Sequence, residues 1–355
     1  MNKWVEDAVV DKVTLTIEGR KITVDADKTV LEAALLNDIY IPHLCYHPDL
    51  KPAGVCRLCM VEIEGQRGLA ISCKTPVARG QVVHTETAQV NAVRRTAVEL
   101  LIADHPEDCL VCVRNDRCEL QRIAAYVGVD RKRMSRMRRP AETAPVDTSN
   151  PFFDHDPNKC VLCGICVRTC DELQGVGAIN FGFRGYNTTI STFGGKPWVE
   201  SRCESCGECV ARCPVGALTA KSSEQPTREV RTTCPYCGVG CGMHLGVRGG
   251  RIVQVRGDEA GEANRGSLCV KGRYGHDFVR HPNRLTTPLV KRNGQFEETS
   301  WDEALGLVAE KFAQSKGEKF AAIASAKCTN EETYLLQKFT RAVMGSNTID
   351  HCARL

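Results

Sequence analysis

The sequence predicts an α+β protein of several small domains, most of them organised around sets of thiols. Nineteen of the 21 cysteines fall into five sets, four of four cysteines and one of three cysteines plus His105. Most gaps within the sets are two or three residues, whereas thiols scattered at random or paired into disulfides would not cluster so. Apolar residues alternate in some stretches and recur at helical spacing in others, with polar connections between the sets.

Soft thiolates at such gaps select iron–sulfur clusters or zinc. A chain of 355 residues does not need disulfides to hold a core, and no charged start followed by an apolar run marks export. The expected compartment is therefore reducing, the cytoplasm. No apolar stretch reaches the roughly 18 residues of a membrane helix, so no membrane span is expected. The net charge of +4 is small, and its basic residues are dispersed apart from Arg131, Lys132, Arg133, Arg136, Arg138 and Arg139. That run reads as a solvated linker, so no nucleic-acid partner is expected.

The first domain is placed at 1–80. Val13, Leu15 and Ile17 alternate, Gly19 and Arg20 turn, Ile22 and Val24 alternate again, and Thr29 to Leu36 reads as a short helix. The loop that follows carries Cys45, Cys56, Cys59 and Cys73, with 10, 2 and 13 residues between them. Four thiolates in this arrangement suit a 2Fe-2S cluster. A structural zinc fits the same ligand count but would leave the neighbouring cluster motifs without an electron entry point.

The second domain, 81–140, reads as helical, with Val90 to Ile102 at helical spacing, and presents His105, Cys109, Cys112 and Cys118 for a 4Fe-4S cluster. A neutral imidazole in place of a thiolate makes the cluster less negative and moves its potential upward. His43, His47 and His84 lack cysteine company and read as ordinary polar residues.

Pro140 to Pro157 reads as a linker. In the third domain, 141–222, Cys160, Cys163, Cys166 and Cys170 form one C-x2-C-x2-C-x3-C run, and Cys203, Cys206, Cys209 and Cys213, followed by Pro214, form a second. In paired runs of this kind the fourth cysteine crosses to the other cluster. One cubane is therefore assigned to Cys160, Cys163, Cys166 and Cys213, the other to Cys203, Cys206, Cys209 and Cys170. The insertion from Gly175 to Trp198 reads as a hairpin.

After a polar linker around Lys221 to Thr232, the fourth domain is placed at 230–290 and carries Cys234, Cys237, Cys241 and Cys269. Two alternating stretches, Met243 to Val247 and Arg251 to Val255, flank Gly249 and Gly250, and would return Cys269 to the other three. Taken alone this motif leaves zinc open; at the end of four redox motifs it reads as a cubane. Lys271 is either a surface lysine or a charge beside a redox group. From 291 to 355 the character is α/β and incomplete. Ser300 with Glu303 predicts a capping box and a helix to Phe312, Phe320 to Ala324 a strand, and Thr329 with Glu332 a helix toward Met344.

Cys234-Pro235-Tyr236-Cys237-Gly238-Val239-Gly240-Cys241 and Ser267-Leu268-Cys269-Val270-Lys271-Gly272-Arg273-Tyr274 resemble the N-terminal cluster region of molybdenum or tungsten bis-pyranopterin enzymes. Gln337 to Gly345 and Asp350-His351-Cys352-Ala353-Arg354-Leu355 resemble more narrowly the catalytic subunit of a formate dehydrogenase. The first 220 residues resemble the electron-input region shared by cytoplasmic NAD(P)-linked formate dehydrogenases, the large cluster-bearing subunit of complex I and iron-only hydrogenases.

The resemblance implies a β-grasp 2Fe-2S ferredoxin, a helical domain whose cluster takes one histidine and three cysteines, a bacterial-type 2[4Fe-4S] ferredoxin, and the 4Fe-4S and incomplete α/β start of a molybdopterin oxidoreductase fold. It implies one 2Fe-2S and four 4Fe-4S clusters, and a Mo or W bis-pyranopterin guanine dinucleotide centre in the complete enzyme. Formate is oxidised to CO2 there, or CO2 reduced, and electrons pass through the clusters. Lys271 matches the family's lysine between cluster and pterin, an electron-transfer and cofactor-binding role. The metal-ligating selenocysteine or cysteine would follow Leu355, with a catalytic histidine next, so these 355 residues alone are expected to be inactive toward formate; Cys352 is not that ligand. No G-x-G-x-x-G follows a strand, so FMN and NAD(P) are expected on a partner subunit, with small Fe-S subunits, a ferredoxin or a hydrogenase as further partners. The alternatives are a hydrogenase input module and a non-catalytic electron-transfer subunit of a complex-I-like assembly.

The five sets predict about 18 irons per fully loaded chain, with matching acid-labile sulfide. Metal analysis of anaerobically prepared protein checks this; stoichiometric zinc with little iron would overturn the cluster reading.

Overall fold

The computed structural model describes residues 11–138, 143–222 and 224–352. Arg139, Pro140, Ala353, Arg354 and Leu355, to which parts of the expectations above refer, lie outside the described residues. The chain divides into two compact units, one ending at Ser223 and one beginning at Glu224.

The first unit opens on a five-stranded sheet, in the order Arg20–Asp25, Lys12–Ile17, Val82–His84, Met60–Ile63, Leu69–Ile71. Lys12–Ile17 and Val82–His84 run parallel and the other pairs antiparallel. The turn falls at Glu18 and Gly19, both at positive φ, with Arg20 already paired to Ile17, one residue earlier than the expected Gly19-Arg20 turn. Successive positive-φ residues give the twist that a two-residue hairpin needs. Alternation buries Leu15, Ile17, Ile22 and Val24 against the Val30–Leu35 helix, which contributes Val30, Leu31, Ala33 and Ala34. Thr29 and Glu32 close a full capping box at its start. The sheet takes in Val82–His84, past residue 80.

The Ala88–Ala103 helix is four and a half turns long and N-capped by Thr87. Its fully buried Arg94 donates from Nε to the Leu58 carbonyl at 3.0 Å, from Nη1 to Thr85 at 2.6 Å and from Nη2 to Met60 at 2.8 Å. Three backbone carbonyls, two of them flanking Cys59, are satisfied by one guanidinium fork. The helices Glu119–Val127 and Arg131–Met137 pack on the same helix. The basic run is therefore not simply a linker. Asp130 caps its helix, and Arg133 Nε lies 3.3 Å from the buried Glu99 carboxylate.

The linker reading of 140–157 also needs correction. Phe153–His155 is a strand paired with Leu218–Ala220, so the chain on either side of the paired cysteine runs closes into one module. Within it, Ile179–Gly182 and Thr189–Thr192 form the expected hairpin. One hydrophobic core joins Val98, Leu120 and Ile123 from the helices to Phe153, Ile165, Val167, Trp198 and Leu218. Leu44, Leu50 and Leu58, from the loop that carries Cys45 and Cys56, pack into this core rather than into the five-stranded sheet's own.

In the second unit Arg228–Thr233, Gly242–Arg248 and Arg251–Gly257 form an antiparallel three-stranded sheet. The first of these falls in the stretch expected to be a polar linker; five of its six residues are exposed, as on an edge strand. A Leu289–Arg292 and Gln295–Glu298 hairpin follows. Ser300 caps the Trp301–Gln314 helix by accepting from the Glu303 amide, while the Glu303 carboxylate binds Arg292 and Thr299 instead of closing a box. Ala322–Ala324 pairs in parallel with Ile349–His351 across the Asn330–Lys338 helix, whose Thr329 and Glu332 do close a box.

Arg94→Leu removes all three donors and leaves their carbonyls buried, so the first unit should lose about 3 kcal/mol of stability. Urea unfolding of the cluster-loaded protein, followed by circular dichroism, measures this against the wild type.

Candidate metal centres

The loop from Cys45 to Cys73 gathers four largely buried thiols as two pairs. The Cys45 and Cys56 side chains lie close enough to perturb each other, as do Cys59 and Cys73. The Cys56 contact, with the Cys56 and Val55 amides, outweighs burial and holds Cys45 down to about 5, while Cys56 itself is pushed up. Likewise Cys73 holds Cys59 down to about 7, and Cys73 is pushed up. Two donors per pair is the arrangement a two-iron core takes, one pair to each iron. Arg57 and Gly54 at positive φ fold the loop between the pairs.

His105 follows the Ala88–Ala103 helix. Its Nδ1 lies 3.0 Å from the Pro106 carbonyl, which can only accept, so Nδ1 carries the proton and Nε2 keeps a bare lone pair. That Nε2 is buried with no hydrogen-bond partner. A tautomer fixed from behind with the other nitrogen unsatisfied is what an iron ligand needs. Burial pushes the Cys118 thiol up, against the Gln121 and Leu120 amides at the start of the Glu119–Val127 helix; nearby Cys112 and Cys109 add to the rise. His84 Nε2 is taken by Glu64 at 2.9 Å and His43 Nδ1 by the Ile41 carbonyl at 2.8 Å.

The paired runs line two cavities. One is bordered by Cys160, Cys163, Cys166 and Cys213; the other by Cys170, Cys203, Cys206 and Cys209. Each thus gathers three thiols of one run and the fourth of the other. The runs repeat one backbone form: Leu162 and Ser205, then Gly164 and Gly207, are all left-handed. In both, an amide approaches the first cysteine at 3.4 Å, Leu162 to Cys160 Sγ and Ser205 to Cys203 Sγ. Burial pushes Cys160 up to about 11 and Cys163 to about 12, and raises Cys166 and Cys209 well above the ordinary thiol range. Such thiols stay protonated at neutral pH unless a metal replaces the proton, so the donor set fits a cluster. Among the described residues no three His, Cys, Asp or Glu side chains converge on a point as a single ion would require.

Charged side chains of this module reach its neighbours. Arg168 donates to the Cys45 carbonyl at 2.6 Å and the Lys51 carbonyl at 2.7 Å, and Arg212 reaches Asp49 at 2.9 Å. Arg114 donates to the Cys213 carbonyl at 2.8 Å. A Cβ on Gly216 would sit 2.8 Å from Cys112 Sγ, so that position admits only glycine without displacement. None of these residues stood out in the sequence, because their partners lie far along the chain.

In the second unit Cys234, Cys237, Cys241 and Cys269 lie within electrostatic reach of one another, Cys237 and Cys269 exposed. Cys234 N donates to the Cys241 carbonyl at 2.8 Å. Asn264 pins the returning loop, bonding both the amide and the carbonyl of Gly242 at 2.8 and 3.0 Å. A Cβ on Gly257 would stand 1.9 Å from the Gly266 carbonyl oxygen, which makes the glycine obligatory. Lys271 is exposed on the short Val270–Tyr274 helix and borders a cavity of about 230 Å³ with Cys234, Tyr236 and His276.

Residues 10–88 match the 2Fe-2S iron-sulfur cluster binding domain and 94–133 the NADH-ubiquinone oxidoreductase-G iron-sulfur binding region. Residues 150–219 match the ferredoxin-like domain of NADH-quinone oxidoreductase subunit 3. Residues 227–281 match the molybdopterin oxidoreductase Fe4S4 domain, and 284–355 molybdopterin oxidoreductase. The chain thus carries iron–sulfur ferredoxin-like domains followed by the start of a molybdopterin oxidoreductase domain.

Among curated relatives, an NADH-quinone oxidoreductase-G protein of Rhizobium meliloti is 35% identical over 96% of this chain and 40% of its own length. The NADPH-Fe(3+) oxidoreductase alpha subunit of Geobacter sulfurreducens is 37% identical over 97% of this chain and 40% of its own. A Staphylococcus haemolyticus protein that bears a provisional formate dehydrogenase name is 29% identical over 97% and 39%. A chain in the crystal structure of an H2-reduced NAD+-reducing [NiFe]-hydrogenase is 34% identical, with a TM-score of 0.54, over 59% of this chain and 87% of that one. The chain spans about 40% of the length of the curated relatives it matches. No helix among the described residues is long and apolar enough to cross a membrane.

His105→Cys should keep a four-iron cluster and lower its potential by on the order of 100 mV, because thiolate adds negative charge that disfavours the reduced state. An EPR-monitored redox titration in which no cluster moves would remove His105 from the ligands.

Proposed function

We propose that this chain is the cluster-bearing part of a formate dehydrogenase catalytic subunit, oxidising formate to CO2 or reducing CO2 in the complete protein. Its five ligand sets are those given above, for one 2Fe-2S and four 4Fe-4S clusters. The observation that carries the reading is the pairing of a fourth-domain cysteine set beside Lys271 with a molybdopterin oxidoreductase match that runs on through 355. The formate-dehydrogenase-like residues from Gln337 to Cys352 and the provisionally named relative give it the substrate.

When bound, a Mo or W bis-pyranopterin centre supplies two-electron chemistry at formate, and one-electron clusters divide the pair. This chain's own part is to hold those clusters, to exclude water from the buried sets, and to place a fixed positive charge at Lys271 Nζ beside the Cys234 set, where it orients an anionic cofactor. The electrons leave for FMN and NAD(P) on a partner subunit, and the assembly is cytoplasmic.

A second reading, a non-catalytic conduit in a complex-I-like or hydrogenase assembly, is favoured by the higher identity to the Rhizobium meliloti protein and by the hydrogenase chain. The residues encoded after Leu355 separate the two: selenocysteine or cysteine followed by histidine supports formate chemistry.

The 355-residue chain, loaded with iron, should show no formate-dependent reduction of an artificial acceptor, at least about 10³-fold below the complete protein, while dithionite reduces its clusters. The complete protein supplied with Mo or W should reduce the acceptor with formate. Activity in the short chain would place the catalytic residues within it, and none in the complete, metal-loaded protein would favour the conduit.

A further inference from the structure

Thr169 sits between Arg168 and Cys170 at the start of a π turn, Thr169–Leu173, and is fully buried. Its backbone is satisfied: the amide reaches the Ile165 and Cys166 carbonyls, and its carbonyl accepts from Gln174 N at 3.1 Å. Its hydroxyl is not, because Oγ1 is buried with no hydrogen-bond partner. Leaving such a group unmade is costly, so a buried orphan calls for a partner outside the protein atoms.

The usual local answer is the carbonyl four residues back. Thr75, Thr96 and Thr340 all take it, at 2.8–2.9 Å, and Thr340 does so in the other π turn, Phe339–Val343. Thr169 does not, and it borders the cavity lined by Cys170, Cys203, Cys206 and Cys209. Glu208, another polar residue on that cavity, is engaged by Arg212.

We propose that Thr169 Oγ1 donates its hydrogen bond to a sulfur of the cubane held by Cys170, Cys203, Cys206 and Cys209, and so raises that cluster's potential above what its four thiolates alone would set. The inference rests on the ligand assignment above and deepens it by naming a positioning residue outside the ligand set. A hydrogen bond to sulfur withdraws electron density and stabilises the reduced, more negative core. One electron enters and leaves during relay while the proton stays on Oγ1, so no other reactant is needed. Burial makes the contact count for more than it would in water.

The test is an anaerobic EPR-monitored titration of the complete, iron-loaded protein. Thr169→Val should keep full iron and lower the potential of one cubane by about 59 mV, a tenfold change in its one-electron equilibrium, with the other clusters unmoved. Thr169→Ser, which keeps the hydroxyl, should titrate like the wild type. An unmoved potential in Thr169→Val, or an equal shift in Thr169→Ser, would overturn the proposal, the latter by tracing the effect to the lost methyl. If Thr169→Val loses iron, Thr169→Ala against Thr169→Ser makes the same comparison, and equal potentials there refute the hydroxyl's role. A wild-type protein lacking about four irons and one of the four cubane signals would instead refute the ligand assignment itself.

Discussion

A thiol must give up its proton to bind iron, and this fold places its thiols where a bare thiolate is costly. Around the paired runs burial, helped by the neighbouring thiols, drives cysteines well above their ordinary range. Burial therefore works against the empty site and favours the loaded one, where iron supplies the positive charge that water no longer can. The backbone assists with directed amides, from Leu162, Ser205 and Ala178, each within 3.3–3.4 Å of a cysteine sulfur. The left-handed residues and the glycines that follow the first cysteines bend the chain around the cavities.

The same requirement shapes how the subdomains meet. A cluster handing on an electron needs a neighbour at short range, and the first unit holds its pieces together with arginines that bond backbone oxygens. Arg168 ends on the carbonyl of Cys45 itself, and Arg114 on that of Cys213. A carbonyl cannot change rotamer, so such a contact fixes the main chain beside a ligand more tightly than an ion pair between two flexible side chains would. Arg94 treats the carbonyls around Cys59 in the same way.

Much of the architecture was legible in the sequence because cysteine gaps and periodicity are local. The hairpin near Gly19, the helix after Thr29 and the hairpin inside the Gly175 to Trp198 insertion follow from alternation and capping. What escaped was set by distant partners. Phe153–His155 has three residues in a proline- and aspartate-bearing stretch and becomes a strand only through Leu218–Ala220. Ile349–His351 likewise needs Ala322–Ala324 beside it, and Arg228–Thr233 is polar because it lies at an edge. At the candidate centres the ligand types could be read from spacing, but not the Cys45–Cys56 and Cys59–Cys73 pairing, the bare Nε2 of His105 or the orphan hydroxyl of Thr169, which exist only in three dimensions.

The exchange of fourth cysteines between the two cavities bears on how such a module could arise. One run by itself offers each cavity three thiols or one, never four. Its repeated left-handed backbone is what a duplicated segment would leave behind. A lone ancestral segment could have completed a set only by pairing with a second copy of itself, each lending one sulfur to the other. Joining the copies into one chain then turned a concentration-dependent association into an intramolecular one.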